Sequence, residues 1–261
     1  MTAVESARGV VRIVAGVGPS LALRAGSASG WCGAARRGGG IGEDRTMTRI
    51  KICGITGLED ALVAAEAGAD AIGLVFARSP RQVTLRLARD IVAALPPYVS
   101  AVGVFVNARA ATVMRTAAEV GLSEVQLHGD ESPEVLEKLA GLRVTKALRV
   151  RDRSFVDRCH GFGVAGAQAV LLDAFSAGTR GGTGKCFDWD LVVDARKAGA
   201  LDDAPPLVLA GGLTALNVGS GIRRIRPWGV DVSGGVEKGP GRKSPEKIAQ
   251  FINAVRAAFC K

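Results

Sequence analysis

The sequence predicts a single (β/α)8 barrel, the TIM-barrel architecture, and three observations carry that prediction. Short apolar runs alternate eight times with segments of helical spacing. The runs are mostly continuous rather than alternating, as parallel strands covered on both sides require. Residues 47–261 have the length that eight such units need, with no linker or second-domain signal.

The elements are expected in this order. A strand at 49–53 is followed by a helix at 58–67 that stops at Gly68, a C-cap signal. The second unit pairs the apolar run at 71–76 with an amphipathic helix at 84–94, ended by Pro96 and Pro97. The third pairs 101–106 with a helix at 110–120 that stops at Gly121, and the fourth pairs 124–127 with a helix at 133–140 opened by Pro133. A strand at 143–148 precedes a weak helix at 153–159, and 169–172 precedes a helix at 188–198. The last two strands, 207–210 and 229–232, precede helices at 215–225 and 244–258, the second opened by Ser244-Pro245-Glu246.

Composition narrows the function classes. Hydrophobic residues make up 48 % of the 261, which is enough for a sizeable core. No run reaches the roughly 18 apolar residues of a membrane-spanning helix. The net charge of +9 suits an anionic partner, but aromatic residues are only 5 %, with Tyr98 the single tyrosine, so nucleic acid is not expected. Cys32, Cys53, Cys159, Cys186 and Cys260 are odd in number and form no CxxC pair, which fits free thiols in a reducing cytoplasm. With only His128 and His160 as histidines, no multi-histidine metal centre is expected. The chain is expected to act as a monomer.

Residues 1–46 read differently: rich in Gly, Ala, Ser and Arg, and without sustained periodicity. They read first as upstream sequence translated in error, with Met47 the true start. A disordered extension and a targeting peptide are the other readings. N-terminal sequencing of the native protein distinguishes them.

In a barrel of this kind the active site forms at the C-terminal ends of the strands, so the polar residues there are the candidates. Strand side chains alternate, so Lys51 and Cys53 share a face and point inward if Ile50 and Ile52 pack on helices. A nearby ammonium favours a thiolate at Cys53 that acts as base or nucleophile; the plainer reading is a small buried core residue. Asp173, directly after three aliphatic residues, is a candidate general acid or base, or else a loop anchor. Gln126 and His128 share one parity and face the interior, as substrate contacts or as a cap that orders the next loop. Asp231 and Ser233 share another. Arg78 and Arg81 stand where a guanidinium can fork onto a carboxylate. The turns holding Gly211 and Gly212, and Ser233, Gly234 and Gly235, follow strands seven and eight, where barrels commonly bind phosphate. The loop with Gly182, Gly184 and Lys185 reads as a lid or anion-contacting loop, since Cys186 breaks the Walker spacing. His160, Trp189 and Trp228 read as structural, the tryptophans as packing residues.

In order and spacing, KICGIT at 51–56, GLVF at 73–76, GVFVN at 103–107, VQLHG at 125–129, LLDA at 171–174, GGTGKCFDW at 181–189, LAGGL at 209–213 and DVSGGVE at 231–237 resemble the phosphoribosylanthranilate isomerases. The resemblance runs from Thr48 to the C-terminus. It implies a cofactor-independent Amadori rearrangement of N-(5′-phosphoribosyl)anthranilate in tryptophan biosynthesis. It further implies Cys53 as the general base at ribose C2, Asp173 as the general acid at the ring oxygen, and Arg81 as the partner of the anthranilate carboxylate. The glycine turns would hold the phosphate, and Lys51 would help keep Cys53 as thiolate. Two alternatives are a histidine-pathway or bifunctional aminoaldose isomerase and a non-catalytic phosphate-binding barrel. The first usually carries aspartates at the ends of strands one and five, where this chain has Cys53 and Arg149; the intact Cys53 and Asp173 argue against the second.

Overall fold

The computed structural model describes residues 47–174 and 186–258. The extension at 1–46 and the lid candidates Gly182, Gly184 and Lys185 lie outside the described residues. Eight parallel strands close into a barrel: β1 Arg49–Cys53, β2 Ala71–Val75, β3 Ser100–Phe105, β4 Glu124–Leu127, β5 Arg143–Val150, β6 Ala169–Ala174, β7 Leu207–Leu209 and β8 Gly229–Val232. Strand β8 pairs with β1 and completes the ring, with Lys51 in register with Asp231.

The helices are α1 Leu58–Ala67, α2 Leu85–Ala94, α3 Ala110–Val120, α4 Phe155–Val164, α5 Asp190–Lys197, α6 Val218–Ile225 and α7 Pro245–Ala257. The signals that end and open them act as the sequence predicts. Gly68 and Gly121 adopt the left-handed conformation at the C-caps of α1 and α3. Thr84 and Ser244 accept from the backbone N–H groups of Leu87 and Lys247 at the starts of α2 and α7.

Some expectations need correction. The fourth unit carries a 3-10 helix, Pro133–Leu139, in place of an α-helix. Helix α6 starts at Val218 rather than Ala215, because the Asn217 side chain turns back to accept from Thr214 N and donate to Gly212 O. A small antiparallel hairpin, β9 Glu237–Gly239 and β10 Arg242–Lys243, follows β8 and had no signal in the sequence. Trp189 is buried as expected, but Trp228 is 55 % exposed and lines a second cavity at the N-terminal end of the strands.

Alternation along the strands divides the interior into two regions. Ile50 and Ile52, Ile72 and Leu74, Val125 and Leu127, Val170 and Leu172, and Val230 and Val232 point outward into the main core beneath the helices. The opposite parity fills the barrel lumen. Ala147, Ala169, Leu171, Val208 and Ala210 form a small apolar cluster there. Val75, Val102 and Val104 are inward too, and beside them Lys51, Gln126, Asp173 and Asp231 are all largely buried. Barrel lumens are usually packed with branched aliphatic layers, so a charged layer marks something other than packing.

One buried ion pair shapes the loop after β4. Lys146 on β5 has the outward parity, and its side chain is fully buried. Its ammonium donates to Gly129 O at 2.8 Å and to Glu131 Oε2 at 2.6 Å. Glu131 also accepts from the backbone N–H groups of Asn107 and Gly129. The loop that leaves His128 is thus pinned from below. We predict that Lys146→Met costs about 3–5 kcal/mol, because Glu131 keeps a buried charge without its cation. The doubly neutral Lys146→Met/Glu131→Gln variant should recover much of that loss. Urea unfolding of the single and double variants checks this, and an unchanged midpoint for the single variant would reject it.

Candidate active site

The C-terminal ends of the strands enclose a cavity of about 880 Å³. Its walls include Cys53 from β1, Arg81 after β2, His128 after β4, Asp173 from β6, Gly211 and Gly212 after β7, and Ser233 to Gly235 after β8. Arg78 lines it too. Among the described residues, the structure therefore brings together nearly every site residue that the sequence singled out. Lys51 and Gln126 are the exceptions. They do not line the cavity but lie beneath its floor, in the lumen. Asp231 does both: it lines the cavity and bonds Lys51 below.

Cys53 sits at the end of β1, in register with Gly73 of β2. A Cβ at position 73 would stand 2.6 Å from Cys53 Sγ, so only glycine leaves room for the thiol. Burial pushes the Cys53 thiol up from its ordinary value, and Lys51 and Lys243, which favour the thiolate, do not overcome it. Lys51 pulls toward the thiolate, as expected, but burial outweighs it. Lys51 is already engaged by Asp231 at 2.8 Å and Gln126 at 2.9 Å. Burial opposes its charge, but Asp231 and Cys53 more than offset that and raise its pKa.

Asp173 is held on both oxygens. Oδ1 accepts from the backbone N–H of Ala174 at 2.9 Å, and Oδ2 meets His128 Nε2 at 3.0 Å. The other ring nitrogen of His128, Nδ1, lies 2.8 Å from Gln126 Nε2. His160 is structural, with Nε2 2.9 Å from Ala200 O.

Arg81 differs from expectation in what it holds. Its Nε and Nη2 fork onto Glu237 at 2.8 and 2.7 Å. Glu237 also accepts from Lys243, whose fully buried ammonium donates in turn to Cys53 O at 2.6 Å and Ser233 O at 3.2 Å. This Arg81–Glu237–Lys243 cluster ties the lips of β1, β2 and β8 together. The sequence reading missed Lys243 and read Glu237 only as the tail of a phosphate turn. Neither carried a distinguishing pattern, because their pairing depends on the hairpin β9–β10.

The glycine turns come close to their neighbours. Gly211 has φ +79°, and a Cβ there would lie 2.3 Å from Ala174 N, so the β7 turn lies directly on the lip of β6. Ser233 Oγ is buried beside the β8 turn, without a hydrogen-bond partner among the described residues. No group of three His, Cys, Asp or Glu side chains among the described residues is placed to hold a metal ion.

A family model described as N-(5′-phosphoribosyl)anthranilate (PRA) isomerase matches residues 50–254. The chain belongs to that family. A PRA isomerase of Geobacter sulfurreducens is 50 % identical over 211 residues, covering 80 % of this chain and 99 % of the relative. One of Pseudomonas syringae pv. syringae is 51 % identical over 214 residues, covering 80 % and 98 %. The crystal structure of the Thermotoga maritima PRA isomerase superposes with a TM-score of 0.72 at 41 % identity, covering 81 % of this chain and all of that one. Another similar PRA isomerase structure, with a TM-score of 0.69 at 40 % identity and the same coverage, is a complex with reduced 1-(o-carboxyphenylamino)-1-deoxyribulose 5-phosphate. The fold expected from the sequence and the family expected from its motifs are both found.

Two outcomes follow from the electrostatics. The Cys53 thiol is raised by burial, so its alkylation by iodoacetamide should keep accelerating above the pH at which an ordinary thiol levels off, near ~8.5. Mass spectrometry of the Cys53 peptide across a pH series checks this; a plateau below neutral pH would contradict it. Burial alone would raise Glu237, but its bonds to Arg81 and Lys243 hold it below the usual carboxylate range. A lowered carboxylate contributes stability that is complete above its ordinary pKa and is lost as pH falls toward the folded value. Glu237→Gln should therefore lower stability at neutral pH and flatten the decline below about pH 5, as followed by urea unfolding at each pH.

Proposed function

We propose that this chain is a phosphoribosylanthranilate isomerase, which converts N-(5′-phosphoribosyl)anthranilate to 1-(2-carboxyphenylamino)-1-deoxyribulose 5-phosphate in tryptophan biosynthesis. The observation that carries the reading is the joining of Cys53 on β1 and Asp173 on β6 in one cavity with the glycine turns of β7 and β8. The reduced 1-(o-carboxyphenylamino)-1-deoxyribulose 5-phosphate seen in the similar PRA isomerase has the phosphate, reduced open sugar chain and aryl carboxylate of the kind that this cavity would have to accommodate.

The chemistry assigned to the residues runs as follows. Asp173 gives a proton to the ribose ring oxygen as the C1–O bond breaks, and the anilino nitrogen lone pair forms a C1=N bond. Cys53, as thiolate, takes the proton from C2; those electrons form C1=C2 and neutralise the iminium. The resulting enol tautomerises to the C2 ketone. Burial raises the Cys53 thiol, so the second step draws on its thiolate fraction.

Gly211, Gly212, Ser233, Gly234 and Gly235 are assigned to the phosphate through backbone N–H groups and the Ser233 hydroxyl. In support, Ser233 Oγ lacks a partner among the described residues and both turns line the cavity. Arg81 is assigned to the aryl carboxylate. Glu237 occupies two of its five N–H donors, so the remaining edge can serve a ligand. The expected monomer is to be checked by sedimentation. The free thiols Cys53, Cys159 and Cys186 support a cytoplasmic setting.

Purified protein should deplete the fluorescent substrate rapidly, for residues 47–261 and for the full chain alike. A folded protein without turnover would sink the reading and promote the non-catalytic phosphate-binding barrel. Cys53→Ala and Asp173→Asn should each lower kcat by about 10²–10⁴ with modest change in KM; near-normal turnover in either removes that assignment. Arg81→Ala should chiefly raise KM, and an unchanged KM would move the role to Arg78.

A further inference from the structure

Four side chains from three strands make one hydrogen-bonded line below and beside the cavity: Lys51, Gln126, His128 and Asp173. The line begins at an ammonium, which can only donate. Lys51 Nζ lies 2.9 Å from Gln126, so the amide must turn its oxygen to the lysine. That leaves the amide NH2 facing His128 Nδ1 at 2.8 Å. A donor there requires Nδ1 to accept, so the ring proton sits on Nε2, which is 3.0 Å from Asp173 Oδ2 and donates to it. Asp231, on the far side of Lys51 at 2.8 Å, keeps the ammonium charged and in place.

From this geometry we infer that Lys51 and Gln126 are positioning residues: through their bonds they fix the tautomer of His128 and keep its Nε2–H aimed at Asp173. The inference rests on the assignment of Asp173 as the proton donor. Once Asp173 has passed its proton to the ring oxygen, the new carboxylate finds two donors already in place, Ala174 N–H and His128 Nε2–H, with no rearrangement. With the opposite tautomer, a lone pair of Nε2 would face Asp173. Only the protonated acid could pair with it, and the proton would be held back rather than released. Gln126 does not line the cavity, so its effect reaches the substrate through His128 and Asp173, whereas Lys51 also acts on Cys53 and Asp231.

The test joins a spectroscopic readout to kinetics. In the wild-type protein, nitrogen-15 NMR of His128 should show a bare Nδ1 and a protonated Nε2. Gln126→Glu replaces the amide donor with a carboxylate oxygen, so the ring should carry a proton on Nδ1. In that variant kcat should fall about tenfold or more, with KM within about twofold. Gln126→Met removes the bias and should give a mixture of tautomers with an intermediate kcat.

A wild-type His128 protonated on Nδ1 alone overturns the inference, and that measurement needs no variant to fold. So does a Gln126→Glu protein that keeps the wild-type tautomer, or one that changes tautomer with kcat unaltered. Failure of the functional assignment looks different: wild-type protein without turnover, or Asp173→Asn with normal turnover, whatever the NMR signature of His128.

Discussion

A lysine ammonium near the middle of a barrel has to be answered by other groups, and much of this structure follows from how Lys51 is answered. Desolvation of an unpaired buried cation would cost several kcal/mol. Asp231 from the neighbouring strand supplies the countercharge and Gln126 supplies a further acceptor from across the lumen. Both come from inward parity positions, so the closed register that sets Lys51 opposite Asp231 also decides which residues can reach the cavity above. A polar layer under the site gives up apolar packing. In return it supplies oriented dipoles beneath the carboxylate that has to exchange a proton.

A second constraint operates at the rim. Arg81, Glu237 and Lys243 form a buried cluster whose ammonium also holds the backbone carbonyls of Cys53 and Ser233. Three elements distant in sequence therefore meet at one carboxylate. The cluster fixes the height of the Cys53 backbone relative to the β8 turn. The absence of a side chain at Gly73 leaves Sγ its space. Position comes from ionic contacts and room comes from a missing Cβ.

Much of the fold was legible in the sequence because it depends on local alternation and on caps. The isoleucines of β1 told which face of that strand is outward, and Lys51 and Cys53 followed. Gly68, Gly121 and Ser244 marked helix ends through backbone geometry that needs no tertiary partner. The site was legible in membership more than in roles. Asp173, His128 and the glycine turns stand at strand ends, so topology alone gathers them. Lys243 and the engagement of Arg81 by Glu237 were not legible, since both arise from a hairpin of five residues with no periodicity to announce it. The balance of effects at Cys53 was not legible for a related reason. A sequence shows that Lys51 is a neighbour, but not that Asp231 already occupies it or that the thiol is buried.

The placement of these charges bears on how such a chain can be divided. The first four strands and their loops carry Lys51, Gln126, His128 and Arg81; the last four carry Asp173, Asp231, Glu237 and Lys243. A fragment ending after β4 would hold the cations Lys51 and Arg81 without the carboxylates that answer them. The complementary fragment would have three carboxylates against Lys243 and Lys146, with Lys146 parted from Glu131 in the loop after β4. Half-barrels cut from this sequence are therefore mismatched alone and complementary together. The seam between them carries the ion pairs Lys51–Asp231, Arg81–Glu237 and Lys146–Glu131, all of which such a cut would part.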